Sequence, residues 1–322
     1  MKVVLIGAGA FSIGLARALE KNENNIVIYT KFEEEYKRVS QERENKLVLP
    51  GVKISNNIEI SNDLESSLAG ADIIVMAVPI KAVRNVISEV REFLKDDQVI
   101  CLVCKGLDEE KGGFMTDVVY NETHHKQIAV LSGPSFAIDV ANYKPLALTV
   151  ASDSENARTK IRKAFENENL KIEQVDDIIG VQLGGALKNV GAIGSGILEG
   201  MGCEPSTKAA YITSVLHEMV EYGKNLGAKE STMYTYAGLG DLVLCCTSPK
   251  SRNYRLGVLI GQGKTPEEAN KEFGLTVEGV NTLEGVRKII RKHNMNLPIL
   301  ETMYDIIVNG IEKERLIEAM LK

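Results

Sequence analysis

The sequence lacks the features of a membrane or secreted protein. It contains no run of about 18 consecutive apolar residues, the length that a membrane-spanning helix needs. It also lacks the basic segment, apolar stretch and cleavage site of a secretory signal, because Met1 is followed at once by the strand-like run 2–6. We therefore expect a soluble, cytoplasmic protein with no membrane span.

The sequence also has few cysteines and fewer basic than acidic residues. The five cysteines form no secreted disulfide framework, and no second cysteine pair completes a zinc site with Cys245 and Cys246. Cys101 and Cys104 lie in a strand-like run, where cysteine commonly serves as a small buried apolar residue. The formal net charge of −6 argues against a non-specific nucleic-acid binder, which usually carries a basic patch. We expect neither a metal site nor a nucleic-acid partner.

What the chain does contain is an ordinary globular composition with a strand-rich first half. Its 322 residues, 44% hydrophobic and 25% charged, suffice for two compact domains. Residues 1–175 alternate short apolar runs with longer amphipathic segments, a pattern typical of a parallel sheet flanked by helices. The expected strands are 2–6, 26–29, 72–77, 98–104, 128–131, 146–151 and 170–174.

From about residue 176 the pattern becomes helical without strand alternation. Glycines are dense between Gly184 and Gly196, which indicates close packing or close approach of a ligand. The sequence thus predicts an α/β domain over residues 1–175 and an all-α domain over residues 176–322. One predicted helix of the second domain has a single apolar face, which we interpret as core or subunit interface: Ile212, Val215, Leu216, Met219, Val220 and Gly223.

A glycine-rich turn joins the first predicted strand to a predicted helix. Gly7 stands where a tight turn is needed and Gly9 where the backbone must approach a pyrophosphate, with Ala10 and Phe11 opening the helix. The free amides of that helix end can bind negative charge. Ser12 replaces the third glycine, at a position that mainly controls packing of the helix on the strand. This context predicts a Rossmann-like, dinucleotide-binding domain.

The second predicted strand ends at Tyr29, and the residues that follow bear on the choice of cofactor. No carboxylate stands there to accept the ribose 2′-hydroxyl of NAD. Lys31 can instead meet a 2′-phosphate, which favours NADP(H) use or dual specificity over strict NAD use. A solvated lysine that touches no cofactor is the alternative interpretation.

Six segments in this order resemble the NAD(P)-dependent glycerol-3-phosphate dehydrogenase family of the bacterial type, and the match spans nearly the whole chain. Each segment is weak alone, but the order and spacing are specific. The resemblance implies reversible hydride transfer between NAD(P)H and dihydroxyacetone phosphate, giving glycerol 3-phosphate for phospholipid synthesis. The segments are the glycine turn, Lys105-Gly106-Leu107, Gly133-Pro134-Ser135-Phe136-Ala137, Ala186-Leu187-Lys188-Asn189-Val190, Gly238-Leu239-Gly240-Asp241-Leu242 followed by Ser251-Arg252-Asn253, and Val277-Glu278-Gly279.

The resemblance also implies the catalytic residues. Lys188 matches the family's catalytic lysine, which donates a proton when the ketone is reduced and accepts one in the reverse direction. Lys105 matches a residue that contacts substrate and cofactor, and Asp241 matches an active-site aspartate. A second cation lowers the pKa of a lysine whereas a carboxylate raises it, so the sequence leaves the balance at Lys188 open.

Substrate and cofactor contacts follow from the same resemblance. Arg252 can bind a phosphate through two parallel hydrogen bonds, and Asn253 can add an amide donor, with Ser251 beside them. A solvent-facing loop between two helices is the alternative for these three residues. The remaining implied contacts are Gly133, Ser135 and Asn189 to the substrate, and Lys105, Ala137, Arg252 and Glu278 to the cofactor.

Two positions depart from the family's pattern. Cys245 stands where the family commonly has threonine, which puts one hydroxyl contact near the active site in doubt. Phe11 stands where tryptophan or tyrosine is frequent and keeps an aromatic face without a polar group. The alternatives are a related two-domain dehydrogenase acting on another hydroxy acid or a sugar nucleotide, and a non-catalytic nucleotide-sensing protein. We expect a homodimer, for which the apolar helical face is a candidate interface.

Overall fold

The chain forms two compact units in a computed structural model that describes residues 1–108, 113–272 and 277–322. The first unit comprises Met1–Cys104 and Met115–Ile178, and the second comprises Lys105–Phe114 and Ile179–Lys322. Each unit has its own core of buried apolar side chains. A short segment of the second unit is therefore inserted into the sequence of the first.

One sheet of eight strands, counted over the described ranges, runs through the first unit. Its strands are, in chain order, β1 (Lys2–Ile6), β2 (Asn25–Tyr29), β3 (Ile58–Ser61), β4 (Ile73–Met76), β5 (Val99–Leu102), β6 (Ile128–Ser132), β7 (Leu146–Ala151) and β8 (Leu170–Val175). Across the sheet the order is β3-β2-β1-β4-β5-β6-β7-β8. The direction of strand addition reverses between β1 and β4, and such a switch point is where α/β sheets bind their ligands.

Helices connect most of these strands. The central strands β1, β4 and β5 are apolar and almost wholly buried, as expected for a sheet covered on both faces, and Cys101 is one of the buried residues. The helices of the first unit are α1 (Ala10–Glu20), α2 (Glu33–Glu42), α3 (Leu64–Leu68), α4 (Ile80–Val90) with a 3₁₀ turn at Arg91–Phe93, α5 (Met115–Thr123), α6 (Ala137–Ala141) and α7 (Glu155–Phe165).

Two features of the sheet differ from the sequence-based prediction. Strand β3 was not predicted, because it is short and its buried Ile58 and Ile60 flank the exposed Glu59 in a polar stretch. The sheet is also not wholly parallel, since β6 and β7 pair antiparallel while the other neighbours pair parallel. The connection 133–145 between β6 and β7 contains only the short helix α6.

The second unit is helical over its described residues. Its helices are α8 (Ile178–Gly200), α9 (Pro205–Asn225), α10 (Glu230–Met233), α11 (Asp241–Thr247), α12 (Arg252–Gly261), α13 (Pro266–Lys271), α14 (Glu278–His293), α15 (Pro298–Val308) and α16 (Arg315–Met320), with a π-helical turn at Tyr236–Gly240. None of the helices in the described ranges is long and apolar enough to cross a membrane. The predicted α/β and all-α classes are therefore confirmed.

The glycines of α8 allow another helix to approach its backbone closely. A Cβ atom at Gly196 would collide with the carbonyl oxygen of Tyr254, and a Cβ atom at Gly257 of α12 would collide with the carbonyl oxygen of Ile193. A Cβ at Gly261 would likewise lie against Ile197. The glycine density of α8 thus serves close packing of α8 on α12, one of the two alternatives that the sequence left open.

The predicted apolar face on α9 belongs to the core of the second unit. Val215, Leu216, Met219 and Val220 are buried there, and Ile212 packs against them from a partly buried position. Burial inside the unit accounts for this face without a partner subunit.

Candidate functional site

The turn between β1 and α1 leaves the N-terminus of α1 accessible. Gly7 has a φ of +109°, and a Cβ there would lie 2.8 Å from the carbonyl oxygen of Ala77, so this position requires glycine. Gly9 caps α1 without a side-chain hydrogen bond, and no atom lies within 4 Å of the place its Cβ would take. Uncapped first-turn amides beside open space fit the pyrophosphate of a dinucleotide.

The first turns of α1 lie against α6. Ser12 is 1% exposed, and its hydroxyl oxygen has no hydrogen-bond partner among the described residues. A Cβ at Gly14 would lie 2.8 Å from the carbonyl oxygen of Ala137, so the close helix packing depends on Gly14, two residues after the expected position. Ala137, which the sequence predicted as a cofactor contact, therefore lies beside the helix that carries Phe11 and Ser12.

Two more predicted positions of the first unit lie in the turn after β6. Gly133 has a φ of +147°, and a Cβ there would be 3.0 Å from the side chain of Leu148. The hydroxyl of Ser135 donates a hydrogen bond to the carbonyl oxygen of Gly133 at 2.9 Å. Lys31 lies just beyond β2, where its Nζ is 3.5 Å from the Oε1 atom of Glu89 on α4.

A buried charged cluster lies in the second unit. Lys188 lies in the middle of α8 and Asp241 begins α11, directly after the π-helical turn. The Lys188 Nζ is 3.3 Å from Asp241 Oδ1, and the Lys105 Nζ is 2.5 Å from Asp241 Oδ2. The side chains of Asp241, Lys188 and Lys105 are 1%, 9% and 16% exposed, so one carboxylate holds two ammonium groups away from bulk water.

This arrangement sets the charge state of each group. Burial is the largest single effect on Lys188 and disfavours its ammonium, but the charge of Asp241, the contact with Cys245 and the charge of Glu278 together outweigh burial and raise the pKa of Lys188. For Lys105 burial dominates, aided by the repulsion of Lys188, and the pKa of Lys105 is lowered. Burial opposes ionisation of Asp241 too, yet the two lysines together hold the pKa of Asp241 below its usual value. The balance that the sequence left open therefore favours a protonated Lys188.

Cys245, which the sequence indicated only as a departure near the active site, is a member of this cluster. It lies one helical turn after Asp241, and its Sγ is 2.9 Å from the Lys188 Nζ and 3.6 Å from Asp241 Oδ1. Burial raises the pKa of Cys245, so the group is a neutral thiol near pH 7. Its spacing of four residues from Asp241 on one helix face was the available clue.

The side chains of Asn189, which directly follows Lys188 in sequence, and Asn253 are linked by hydrogen bonds. The Nδ2 of Asn253 donates to the Oδ1 of Asn189 at 2.9 Å, and the backbone amide of Gly279 donates to the Oδ1 of Asn253 at 3.0 Å. The Nδ2 of Asn189 is buried and has no hydrogen-bond partner among the described residues. A buried donor without a partner costs about 1–3 kcal/mol, so this amide is suited to binding a ligand oxygen.

Arg252 and Ser251 form the start of α12 and not a loop. Ser251 is the N-cap, and its hydroxyl accepts a hydrogen bond from the backbone amide of Tyr254 at 3.3 Å. Arg252 is exposed, and its guanidinium has no hydrogen-bond or ion-pair partner within the described ranges. Glu278 is the first residue of α14, and its charge acts on Lys188. The second unit thus holds a buried acid–base cluster and, in the same unit, an unpaired guanidinium.

Comparison with known proteins identifies the family. Residues 2–158 match the family described as NAD-dependent glycerol-3-phosphate dehydrogenase N-terminus, and residues 177–318 match its C-terminus. A glycerol-3-phosphate dehydrogenase (NAD(P)+) from Fusobacterium nucleatum is 38% identical over 303 residues, which cover 94% of this chain and 90% of that protein. The protein of the same name from Bacillus subtilis is 34% identical and covers 99% of this chain, which spans 94% of its length.

Solved structures agree with this assignment. The crystal structure of glycerol-3-phosphate dehydrogenase from Coxiella burnetii has a TM-score of 0.92 and 29% identity, and covers 100% of this chain and 98% of that chain. A D-mandelate dehydrogenase with a TM-score of 0.64 and 11% identity shares only the fold. The resemblance carried by the six sequence segments is confirmed, and the chain belongs to the NAD-dependent glycerol-3-phosphate dehydrogenase family.

Proposed function

We propose that the chain catalyses reversible hydride transfer between NAD(P)H and dihydroxyacetone phosphate, forming sn-glycerol 3-phosphate. The observation that carries this proposal is the buried cluster in which Asp241 binds both Lys105 and Lys188. A chain of this family that keeps a protonated, water-shielded lysine has the acid that ketone reduction requires. A protein that only senses nucleotides has no need of such a cluster.

Lys188 is the proposed acid. When NAD(P)H is bound it would supply a hydride for C2 of the ketone, and the Lys188 ammonium would donate a proton to the carbonyl oxygen. Asp241 holds the Lys188 ammonium in position. The positive charge of Lys105 repels that of Lys188 and so favours transfer of the Lys188 proton to the substrate oxygen. In the reverse direction the neutral amine of Lys188 accepts the hydroxyl proton.

The phosphate end of the substrate is proposed to bind at the start of α12. Arg252 has the planar guanidinium that grips a phosphate with two parallel hydrogen bonds, and it has no competing partner among the described residues. Ser251 and Asn253 stand on either side of it, and the buried Nδ2 of Asn189 is available to a substrate oxygen. Gly133 and Ser135 complete the proposed substrate contacts.

The cofactor is proposed to bind at the open end of α1. The first-turn amides bind the pyrophosphate, Gly9 provides the space, and Ser12 offers a hydroxyl that has no other described partner. Residues 1–175 then act as the dinucleotide-binding domain and residues 176–322 as the substrate-binding and catalytic domain. The other proposed cofactor contacts are Gly7, Ala10, Phe11, Lys31, Lys105, Ala137, Arg252 and Glu278.

A steady-state assay tests the function. Loss of the reduced-nicotinamide absorbance is followed with dihydroxyacetone phosphate, unphosphorylated dihydroxyacetone and a branched oxo acid in parallel. We expect fast oxidation of the cofactor only with the phosphorylated triose, because it alone carries the dianionic phosphate that Arg252 is proposed to bind. Equal rates with the unphosphorylated ketone would contradict the assignment, and cofactor binding without any turnover would leave only a nucleotide-binding protein.

The cellular setting is also a proposal. Glycerol 3-phosphate made by this chain serves phospholipid synthesis in the cytoplasm, a reducing compartment that fits five cysteines that form no disulfide among the described residues. We propose a homodimer, supported by large apolar side chains that the second unit exposes near its end, Val308, Ile311 and Leu321. Size-exclusion chromatography with light scattering is expected to give twice the chain mass, and a monomer mass at micromolar concentration would contradict this.

A further inference from the structure

We propose that Glu89 is a specificity-determining residue that favours NAD(H) over NADP(H). It supplies from α4 the carboxylate that the end of β2 lacks, at the place where the adenosine ribose of a dinucleotide binds in this fold. The inference deepens the proposed function and rests on the cofactor site described above, on residues of the first unit alone.

The position of Glu89 follows from two neighbours at the end of β2. Its Oε1 atom lies 3.5 Å from the Nζ of Lys31, and the two side chains are 47% and 45% exposed, so both remain open to a ligand that arrives from solvent. Burial raises the pKa of Tyr29, the last residue of β2, and the negative charges of Glu89 and then Asp63 raise it further. The folded chain therefore brings the carboxylate of Glu89 to the end of β2, although no acidic residue follows Tyr29 directly in the sequence.

Two acidic side chains that follow β2, Glu35 and Glu33, already have partners. The carboxylate of Glu35 accepts hydrogen bonds from Thr30 at 2.5 Å and from Asn45 at 3.1 Å. Glu33 accepts from Asn62 at 2.6 Å and forms an ion pair with Lys37 at 3.1 Å. The Glu89 side chain has only Lys31 as a partner within the described ranges, so its carboxylate keeps the capacity to accept a hydrogen bond from a ribose hydroxyl.

NAD(H) and NADP(H) differ in the group at the 2′ position of the adenosine ribose, and a carboxylate interacts differently with these two groups. The ribose 2′-hydroxyl of NAD(H) is a donor and gains a charge-assisted hydrogen bond from a carboxylate. The 2′-phosphate of NADP(H) is dianionic, so it is repelled by Glu89 and must compete with it for the single ammonium of Lys31. Lys31 alone favours NADP(H), but the pair of Lys31 with Glu89 favours NAD(H).

The test compares Glu89→Gln with Glu92→Gln. Glu92 is another exposed carboxylate three residues later, paired with Arg91 at 3.0 Å, so the control removes the same charge from a nearby part of the surface. Dissociation constants for NADH and NADPH are measured by titration calorimetry without substrate, and kcat/KM is measured with dihydroxyacetone phosphate.

We expect the wild-type protein to bind NADH more tightly than NADPH. Glu89→Gln should lower that preference by about fivefold, the size expected for one exposed charge interaction, and Glu92→Gln should leave it unchanged. Adding Lys31→Gln to Glu89→Gln should abolish the gain in NADPH binding. Tighter binding of NADPH by the wild type, or equal effects of the two glutamate variants, would overturn the inference. Binding as expected without reduction of the ketone would instead defeat the proposed function and leave this inference standing.

Discussion

The ammonium of Lys188 donates a hydrogen bond to the Sγ atom of Cys245 over 2.9 Å. A neutral thiol is a weak acceptor, so this contact orients the lysine without neutralising it, and the charge is balanced by Asp241. The family commonly carries threonine at this position, and sulfur here takes the place of a hydroxyl oxygen.

The first prediction concerns that contact. Cys245→Ala should lower kcat by up to about tenfold with little change in KM, because one orienting hydrogen bond of about 1 kcal/mol is lost. Cys245→Thr should keep kcat within about threefold of the wild type, since a hydroxyl restores an acceptor. Cys246→Ala is the matched control, because Cys246 is buried on the same helix without a described hydrogen bond to Lys188. Full kcat in Cys245→Ala would show that Asp241 alone positions the lysine.

The second prediction concerns the acid itself. Lys188→Ala should lower kcat by at least about a hundredfold, the contribution typical of general acid catalysis, while cofactor binding is retained. Because the pKa of Lys188 is raised, ketone reduction by the wild type should stay constant around neutral pH and fall only in alkaline solution. Lys208→Ala, which removes a lysine paired with Glu199 on the surface, is the control. Near-normal turnover of Lys188→Ala would remove Lys188 from its role.

The third prediction concerns the phosphate. Arg252→Ala should raise KM for dihydroxyacetone phosphate by about tenfold to a hundredfold, as expected for loss of charge-assisted hydrogen bonds to a dianion. The KM of Arg252→Lys should lie between those of the wild type and Arg252→Ala, because lysine keeps the positive charge but lacks the planar guanidinium. Arg255→Ala removes an exposed arginine from the next turn of α12 and should leave KM unchanged. Equal KM values for Arg252→Ala and the wild type would place the phosphate elsewhere.

The fourth prediction concerns the contact between α8 and α12. Gly257→Ala should lower the free energy of unfolding by roughly 1–3 kcal/mol or more, because the new methyl group collides with the carbonyl oxygen of Ile193. Gly285→Ala is the matched control on α14, where no atom lies within 4 Å of the new Cβ, and it should stabilise by up to about 1 kcal/mol. Urea unfolding measures both, and a Gly257→Ala protein as stable as the wild type would refute the close packing.

The fifth prediction concerns a buried carboxylate between α9 and α15. Glu218 accepts hydrogen bonds from the backbone amides of Ile299 at 2.7 Å and Leu300 at 2.9 Å, and so caps α15. Burial raises the pKa of Glu218 to about 7, although the two amides oppose the shift. A raised carboxyl pKa contributes stability that is complete below the unfolded value of about 4.5 and is lost as pH rises through 7.

The wild type should therefore lose about 1–3 kcal/mol of stability between pH 5 and pH 8 that Glu218→Gln does not lose. Glu221→Gln on the exposed face of α9 serves as the control and should follow the wild type. The measurement is the difference in unfolding free energy between variant and wild type at each pH. A difference that is constant over the window would mean that Glu218 stays ionised throughout.

Local patterns explain what the sequence could predict. The first strand, the turn at Gly7 and the helix after it follow one another directly, so periodicity and glycine placement sufficed. No sequence pattern predicts the antiparallel pairing of β6 with β7, because a buried strand is a run of apolar residues whether its neighbour is parallel or antiparallel. The role of Gly14 in helix packing was equally hidden, since only the position of Ala137 in space reveals it.

The candidate site depended on contacts over long sequence distances. Lys105 and Asp241 are 136 positions apart, and no periodicity connects them, so family resemblance could name both residues but not their shared ion pair. Glu89 shows the same limit, because a search for a carboxylate along β2 could not find one supplied by α4. What remained beyond sequence reasoning was the pairing of groups from separate elements.

The order of the units along the polypeptide has a consequence for biosynthesis. The ribosome makes Lys105 and Leu107 long before α8, yet both belong to the second unit, where Leu107 is 5% exposed in the core. During translation the ammonium of Lys105 has no carboxylate partner until Asp241, 136 positions later, has been made. A fragment that stops at Ile178 would present an apolar leucine and a lysine without its carboxylate to solvent, so we expect such fragments to need chaperones or to be degraded.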